Sequence, residues 1–139
     1  MAKKIFVNLA VKDLEKSKAF YSRLGFGINP QFTDEKAACI VISEDIYAMI
    51  LQEDFFKTFI PGKQIANAQN SAEALVALSA DNKEQVDALA DEALAAGGSR
   101  LRDPEDHGFM YSRSFQDPDG HIWEVLWMDP SFVQPENAG

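Results

Sequence analysis

The sequence predicts an α+β fold in which two βαβββ modules form curved mixed sheets around a cleft. The first half of the chain reads as strand, helix and three strands, and the second half repeats that order. Residues 7–13 align with residues 76–82 at an offset of 69. At 139 residues and 46% apolar composition, two such modules can share one core. The expected boundaries are a first module at 4–53, a connector and possible lid at 54–70, a second module at 71–129 and a loose tail at 130–139.

The first module opens with a predicted strand at residues 4–11. Its alternation places on one face Ile5, Val7, Leu9 and Val11, and on the other Phe6, Asn8 and Ala10. Asp13 suits a helix N-cap, and apolar residues then recur at helical spacing until Gly25, which favours a helix end. Turn-like residues divide the rest of this module into separate strands. These strands are predicted at 26–32, 37–43 and 47–52.

The second module repeats this pattern. Asn82 and Gln85 have the spacing of a capping box, and the helix that they begin is expected to end at Gly97. A tight turn is expected at residues 117–120, Asp-Pro-Asp-Gly. The remaining strands are predicted at 99–102, 108–115 and 121–128.

Alternation along the strands assigns each side chain to the cleft or to the helices, provided that no bulge inverts a strand. The predicted cleft set is Phe6, Asn8, Ala10, Ala48, Ile50, Gln52, Leu75, Ala77, Ser79, Ile122, Glu124 and Leu126. The predicted helix-facing set is Val7, Leu9, Met49, Leu51, Val76, Leu78, Trp123, Val125 and Trp127.

The net charge of −9 is concentrated in the second half of the chain. Residues 1–69 carry nine Lys and Arg against eight Asp and Glu, whereas residues 70–139 carry four against fourteen. The negative charge of residues 70–139 would repel the phosphate groups of a nucleic acid, so we expect no nucleic-acid partner. The acidic half is either a solvated surface or a field that attracts a cationic ligand.

Cys39 is the single cysteine and lies in an apolar run, which excludes an internal disulfide framework and is typical of a buried thiol. No window approaches the ~20 apolar residues of a membrane span, and no export signal is recognised. We therefore expect a cytoplasmic protein without a membrane partner.

Two segments resemble the vicinal-oxygen-chelate superfamily, which contains glyoxalases, bleomycin resistance proteins and extradiol dioxygenases. Residues 11–26, VKDLEKSKAFYSRLGF, resemble its opening strand and helix, and residues 115–124, FQDPDGHIWE, resemble its closing turn and strand. With the repeat between them, the resemblance covers nearly residues 4–129. It implies the glyoxalase/bleomycin resistance/dioxygenase fold and a homodimer with paired clefts.

The resemblance also implies where a metal would bind. The four ligand positions of metal-dependent members fall here on Phe6, Ile50, Leu75 and Glu124. A divalent ion needs several nitrogen, sulfur or oxygen ligands, and only Glu124 offers one. We therefore expect no metal and no other cofactor. A different metal site using His107, His121 or Glu124 is the alternative to two histidines that hydrogen-bond locally.

Glu124 is the candidate catalytic residue, either as a general acid or base or as an anchor for a donor group of a ligand. The alternative is a family remnant paired with Asn8, Gln52 or Arg113. Phe59 belongs to an apolar stretch of the connector that either covers the cleft or a dimer interface, or closes the core. Tyr111 and Arg113, near the mouth of the second module, either complete a ligand site or pack against neighbouring strands. The full set of predicted ligand-binding residues is Phe6, Asn8, Ile50, Gln52, Leu75, Phe59, Tyr111, Arg113 and Glu124.

The sequence leaves three functions open. The leading hypothesis is a protein that binds a small organic molecule in an apolar cleft, as metal-free drug-sequestering relatives of the superfamily do. The second is an enzyme, a lactoylglutathione lyase-related lyase, isomerase or epimerase with Glu124 handling the proton. The third is a structural or regulatory dimer whose cleft is filled by its own side chains, such as Phe6, Ile50 and Leu75.

Overall fold

The computed structural model describes residues 3–132, which form two four-stranded mixed sheets. The elements are β1 (Ile5–Val11), α1 (Leu14–Arg23), β2 (Gly27–Asn29), β3 (Ala37–Val41), β4 (Ile46–Gln52), α2 (Glu53–Lys57), β5 (Leu75–Ser79), α3 (Lys83–Ala95), β6 (Glu105–Asp106), β7 (Met110–Gln116) and β8 (Ile122–Met128). The strand orders are β1-β4-β3-β2 and β5-β8-β7-β6, so the predicted pair of βαβββ modules is confirmed. Most of the predicted tail, 133–139, lies outside the described residues.

Both long helices begin where the sequence predicts. The Asp13 carboxylate accepts the backbone N–H of Lys16 at 3.1 Å, which caps α1. The Asn82 side chain accepts the backbone N–H of Gln85 at 2.8 Å, and the Gln85 amide oxygen accepts the N–H of Asp81 at 2.9 Å. The predicted capping box of α3 is therefore present, with its return bond one residue earlier than usual.

Three predicted elements differ in the structure. The strand predicted at 26–32 is reduced to β2, because Pro30 has no amide donor and opens a 3-10 turn at Pro30–Phe32. The strand predicted at 99–102 is a single bridge between Ser99 and Gln116, and the paired segment is β6 instead. The connector begins with a helix, α2, that the sequence analysis did not predict.

One long helix packs on each sheet: α1 packs on β3 and β4, and α3 packs on β7 and β8. The short helix α2 also contacts β1 and β4. We call the side of each sheet away from α1 and α3 the open face. In the first sheet, Phe6 pairs with Tyr47 and Asn8 pairs with Met49 across parallel strands, so these side chains share the open face.

This register shows that the face predicted for β4 is wrong. The cleft-facing residues were expected to be Ala48, Ile50 and Gln52, but Ala48 and Ile50 are fully buried in the core on the helix side. Met49 and Leu51, expected against the helices, lie on the open face. The prediction for β4 is one residue out of phase with that for β1.

The faces predicted for the second sheet are confirmed. Ala77 pairs with Glu124 across β5 and β8, and both lie on the open face. Trp123 and Val125 are each 1% exposed and belong to the core on the opposite side. The alternation of β8 therefore separates a buried apolar face from a face that contains one carboxylate.

The two modules meet through their helix sides and share one core, in which Phe20 and Tyr21 pack with Phe115 and Trp123. Gly120, in the turn at 117–120, has a φ of 96°, and a Cβ there would lie 2.6 Å from the carbonyl oxygen of Ala68. The turn consequently fits closely against the connector.

Polar contacts at the same turn join the modules. The Tyr21 hydroxyl donates to the Asp117 carboxylate at 2.5 Å, and the backbone N–H of Lys12 donates to Asp119 at 2.9 Å. Across residues 3–132, no helix has the length and apolar character needed to cross a membrane.

Candidate functional site

Glu124 lies in the middle of β8 on the open face of the second sheet, with a side chain that is 16% exposed. Its carboxylate forms an ion pair with Arg102, which also contacts Glu105. The hydrogen bond that Arg102 donates to the Glu124 carboxylate raises the pKa of the Arg102 guanidinium above its usual value. None of the three partners expected from the sequence, Asn8, Gln52 or Arg113, forms this pair.

Ser114 lies beside Glu124. The two residues are in register across β7 and β8, so both side chains lie on the open face. Ser114 is 6% exposed, and its hydroxyl has no hydrogen-bond partner within residues 3–132. A buried hydroxyl without a hydrogen-bond partner lowers the stability of the native state by about 1–3 kcal/mol, so such hydroxyls are uncommon in native proteins. We call Arg102, Ser114 and Glu124 the polar centre.

The polar centre is surrounded by apolar side chains on its own sheet. Ile122 and Leu126 flank Glu124 along β8, and Leu75 on the neighbouring strand is 52% exposed. The open face of the first sheet is also apolar, since Phe6 is 49% exposed and stacks on Tyr47 with ring centroids 4.8 Å apart. Both sheets therefore expose some large apolar side chains on their open faces, although Leu51 and Cys39 on that face of the first sheet are buried.

Two predicted ligand-binding residues lie on the wrong side of the second sheet. Tyr111 donates a hydrogen bond to Asp87 of α3 at 2.6 Å, and Arg113 forms ion pairs with Asp87 and Asp91 at 3.1 and 2.8 Å. The Tyr111 hydroxyl, followed by Arg113, holds the pKa of Asp87 below its usual value. Tyr111 and Arg113 thus attach α3 to its sheet and do not meet Glu124.

The other predicted ligand-binding residues are dispersed. Phe6 and Asn8 share the open face of the first sheet, where the Asn8 amide donates to the Phe6 carbonyl at 3.1 Å. Gln52 lies in register with the buried Val11 at the end of β4, on the opposite face. Phe59 is 61% exposed in the connector. With Ile50 in the core, Leu75 and Glu124 are the two residues of the predicted set that lie on the open face of the second sheet.

The family metal positions do not fit a metal ion in this chain. With Ile50 excluded by the register, the residues of β4 on the open face are Tyr47, Met49 and Leu51, and none is a carboxylate or an imidazole. Glu124 is the one carboxylate at these positions, and Arg102 already holds it. Within residues 3–132, no three His, Cys, Asp or Glu side chains are grouped so that they could hold a metal.

The two histidines have separate local partners. His107 Nε2 lies 3.6 Å from a carboxylate oxygen of Glu105. His121 Nε2 lies 2.6 Å from the carbonyl oxygen of Ala10, which can only accept, so this nitrogen donates. The two imidazoles therefore contribute to different parts of the molecule.

Arg102 and Ser114 were missed by the sequence analysis for different reasons. Ser112, Ser114 and Gln116 alternate with larger residues along β7, and this alternation could have identified Ser114 as a neighbour of Glu124. Arg102 lies between the bridge at Ser99 and β6, where no periodic pattern indicates the direction of a side chain.

Comparisons with known proteins agree with this fold. A structure of a hypothetical protein from S. aureus is 31% identical, with a TM-score of 0.75, and the match covers 91% of this chain and 95% of that one. A glyoxalase/bleomycin resistance protein from Albidiferax ferrireducens is 27% identical, with a TM-score of 0.65 and coverage of 88% and 95%. A glyoxalase/bleomycin resistance protein/dioxygenase family enzyme from Burkholderia phytofirmans is 18% identical, with a TM-score of 0.77 and coverage of 91% and 99%.

A search of curated proteins found no significant match. The profile of one family does match, and it spans residues 5–125, from the first strand to the strand that carries Glu124. The chain belongs to the Glyoxalase/Bleomycin resistance protein/Dioxygenase superfamily.

Proposed function

We propose that this protein binds a small organic molecule on the open face of its second sheet and does so without the usual metal centre of the superfamily. The observation that carries the proposal is the unpaired, buried Ser114 hydroxyl beside the Arg102–Glu124 ion pair. A small number of polar groups in apolar surroundings is typical of ligand sites. The ligand would have an apolar body and a polar group that both donates and accepts hydrogen bonds.

A second copy of the chain is the proposed cover of the open faces. Phe6 and Leu75 are about half exposed, and Met128 on β8 is 42% exposed. Removing exposed apolar side chains of the sheet faces from water is favourable in free energy. A homodimer in which these faces enclose the ligand would cover them. Sedimentation equilibrium should therefore give twice the mass of the 15.4 kDa chain, and a monomer at all concentrations would contradict this part of the proposal.

We also propose the reducing cytoplasm as the compartment. Cys39 is free and 1% exposed, so it has no disulfide for an oxidising compartment to maintain.

A thermal-shift screen with Ser114→Ala tests the ligand site. The probes are bleomycin, S-lactoylglutathione and pyruvate, and a probe at 100 times its Kd stabilises the native protein by roughly 2.7 kcal/mol. Without a probe, Ser114→Ala should be as stable as the parent or more so, because the hydroxyl makes no hydrogen bond that could be lost. With a bound probe, the stabilisation should shrink in Ser114→Ala and in Glu124→Gln.

Glu105→Gln is the matched control, since it removes the other, more exposed carboxylate that contacts Arg102. If a probe binds equally well to the parent, Ser114→Ala and Glu124→Gln, the polar centre does not hold the ligand. If no probe shifts the melting temperature of the parent, the structural-dimer interpretation is favoured.

Metal analysis of the purified protein tests the enzyme alternative. A stoichiometric transition metal, together with turnover of the hemithioacetal of methylglyoxal and glutathione, would favour a lyase and contradict metal-free binding. In that case Glu124 would have to exchange its Arg102 partner for the metal or the substrate.

A further inference from the structure

A separate cavity of about 420 Å³ lies where the two modules and the connector meet. Ala10 and Lys12 line it at the end of β1, Lys57 and the segment 63–68 line it from the connector side, and Asp119 and His121 line it from the second module. None of the described residues that line it belongs to the polar centre. Its size is within the range of small-molecule sites.

Three lysines give this cavity its charge. Lys12, Lys57 and Lys63 line it, and none of them has a carboxylate within ion-pair distance in residues 3–132. By contrast, Arg102 and Arg113 are each paired with two carboxylates in that part of the chain. Three unpaired cations are thus gathered in one cavity of a chain whose net charge is −9, although Lys16 and Lys36 also lack an ion pair elsewhere in the described residues.

The carboxylates in the cavity wall do not cancel this charge. Asp119 accepts the backbone N–H of Lys12 at 2.9 Å and lies 3.4 Å from the Ser17 hydroxyl, so its oxygens are directed toward the module contact. Glu53 is the second carboxylate in the lining. Three ammonium groups against two carboxylates leave the cavity with a positive balance, which attracts anions.

An apolar pocket adjoins the cavity. It has a volume of about 170 Å³, is lined mainly by apolar residues such as Leu9, Phe56 and Ile122 with Glu73 as its carboxylate, and shares Ile65 and Ala68 with the lysine-lined cavity. A charged compartment that continues into an apolar one suits a ligand with a charged end and an apolar end.

We propose that this junction binds a small organic anion, with its carboxylate or phosphate group among Lys12, Lys57 and Lys63 and its short apolar part in the adjoining pocket. This site is additional to the polar centre. The lysines act as flexible point charges, which suit either anion. Binding would also bridge the two modules, since the lining comes from both.

Isothermal titration with four probes tests the ligand class. Hexyl phosphate and hexanoate carry both ends, inorganic phosphate carries only the charge, and hexanol carries only the chain. We expect hexyl phosphate or hexanoate to bind more tightly than inorganic phosphate and hexanol, and the tighter of the two identifies the preferred anion. Affinity should fall as sodium chloride is raised, because salt screens exposed charges. Binding of hexanol that equals that of both anions, or no binding of either anion, would overturn the proposal.

Lysine variants locate the binding. Lys57→Gln and Lys63→Gln should each raise the Kd of the tighter anion by about two- to fivefold, as expected for exposed charge pairs, and the double variant by roughly tenfold. Lys36→Gln is the matched control, since Lys36 is an exposed lysine outside the cavity. Equal losses in the Lys36 variant, or none in the double variant, would place the anion elsewhere. Glu124→Gln should leave anion binding unchanged, so failure at this site is distinguishable from failure at the polar centre.

Discussion

Replacing Tyr21 with Phe tests whether the contact between the modules holds the fold together. The Tyr21 hydroxyl donates to Asp117 at 2.5 Å and accepts the indole N–H of Trp123 at 3.0 Å. All three residues are at most 2% exposed. Tyr21→Phe leaves the ring in place and removes one oxygen, so two buried polar groups lose a partner together.

The expected loss of stability comes from these two groups. A hydrogen bond to a charged group is worth about 1.5–3 kcal/mol, and a buried donor left without an acceptor costs about 1–3 kcal/mol. The effects share one atom and are not fully additive, so we expect a total near 3 kcal/mol. In a chain of this size, that corresponds to a fall in Tm of about 10 °C.

Urea unfolding followed by tryptophan fluorescence measures this change, because Trp123 lies in the contact itself. Tyr47→Phe is the control: its hydroxyl donates to the Glu44 carbonyl at 2.9 Å at an exposed position, and its loss should change the free energy of unfolding by less than about 0.5 kcal/mol. If Tyr21→Phe destabilises no more than Tyr47→Phe, the contact does not carry the stability that we assign to it.

Three further outcomes are expected. Burial raises the pKa of Asp117 above its ordinary value of 3.8, so the native state holds this proton more tightly than the unfolded state does. The contribution of Asp117 to stability therefore falls as the pH rises from 3.8 toward the raised pKa. Asp117→Asn should flatten that part of the pH profile of stability, measured by urea unfolding. Cys39 should react with a thiol reagent only after denaturation, because it is 1% exposed and burial raises its pKa; rapid modification of the native protein would contradict its buried position. Gly98→Ala should lower the free energy of unfolding by about 1–3 kcal/mol, since a Cβ there would lie 2.5 Å from the Gln116 carbonyl oxygen. At Gly27 the nearest atom to such a Cβ is 3.8 Å away, so Gly27→Ala should lower the free energy of unfolding by less in the same assay.

The faces of the strands show how much could be predicted from the sequence. In β8, Glu124 alternates with Trp123 and Val125, and a carboxylate opposite two buried side chains identifies the open face without ambiguity. In β4 both alternating sets are apolar, so neither one identifies a face. The relative phase of β1 and β4 depends on the chain between them, which periodicity does not describe.

The polar residues were harder to place for a related reason. Tyr111 and Arg113 were compatible with either a ligand site or a packing role, and acidic residues of α3 take up their hydrogen bonds. Ser114, which is small and inconspicuous in the sequence, lies beside Glu124 instead. Pairings across distant segments, such as that of Arg102 with Glu124, depend on tertiary structure and have no local signal.

The contacts of the turn at 117–120 should keep the two halves of the protein associated after a protease has cut the connector. Lys57 and Lys63 are exposed in the connector, where trypsin can cleave between the two halves. The resulting fragments would still be joined by Tyr21 and Asp117 and by the shared core, so they should elute together from a sizing column and separate only in denaturant. Either half expressed alone would expose the aromatic surface that its counterpart normally covers, and it should precipitate unless the other half is supplied.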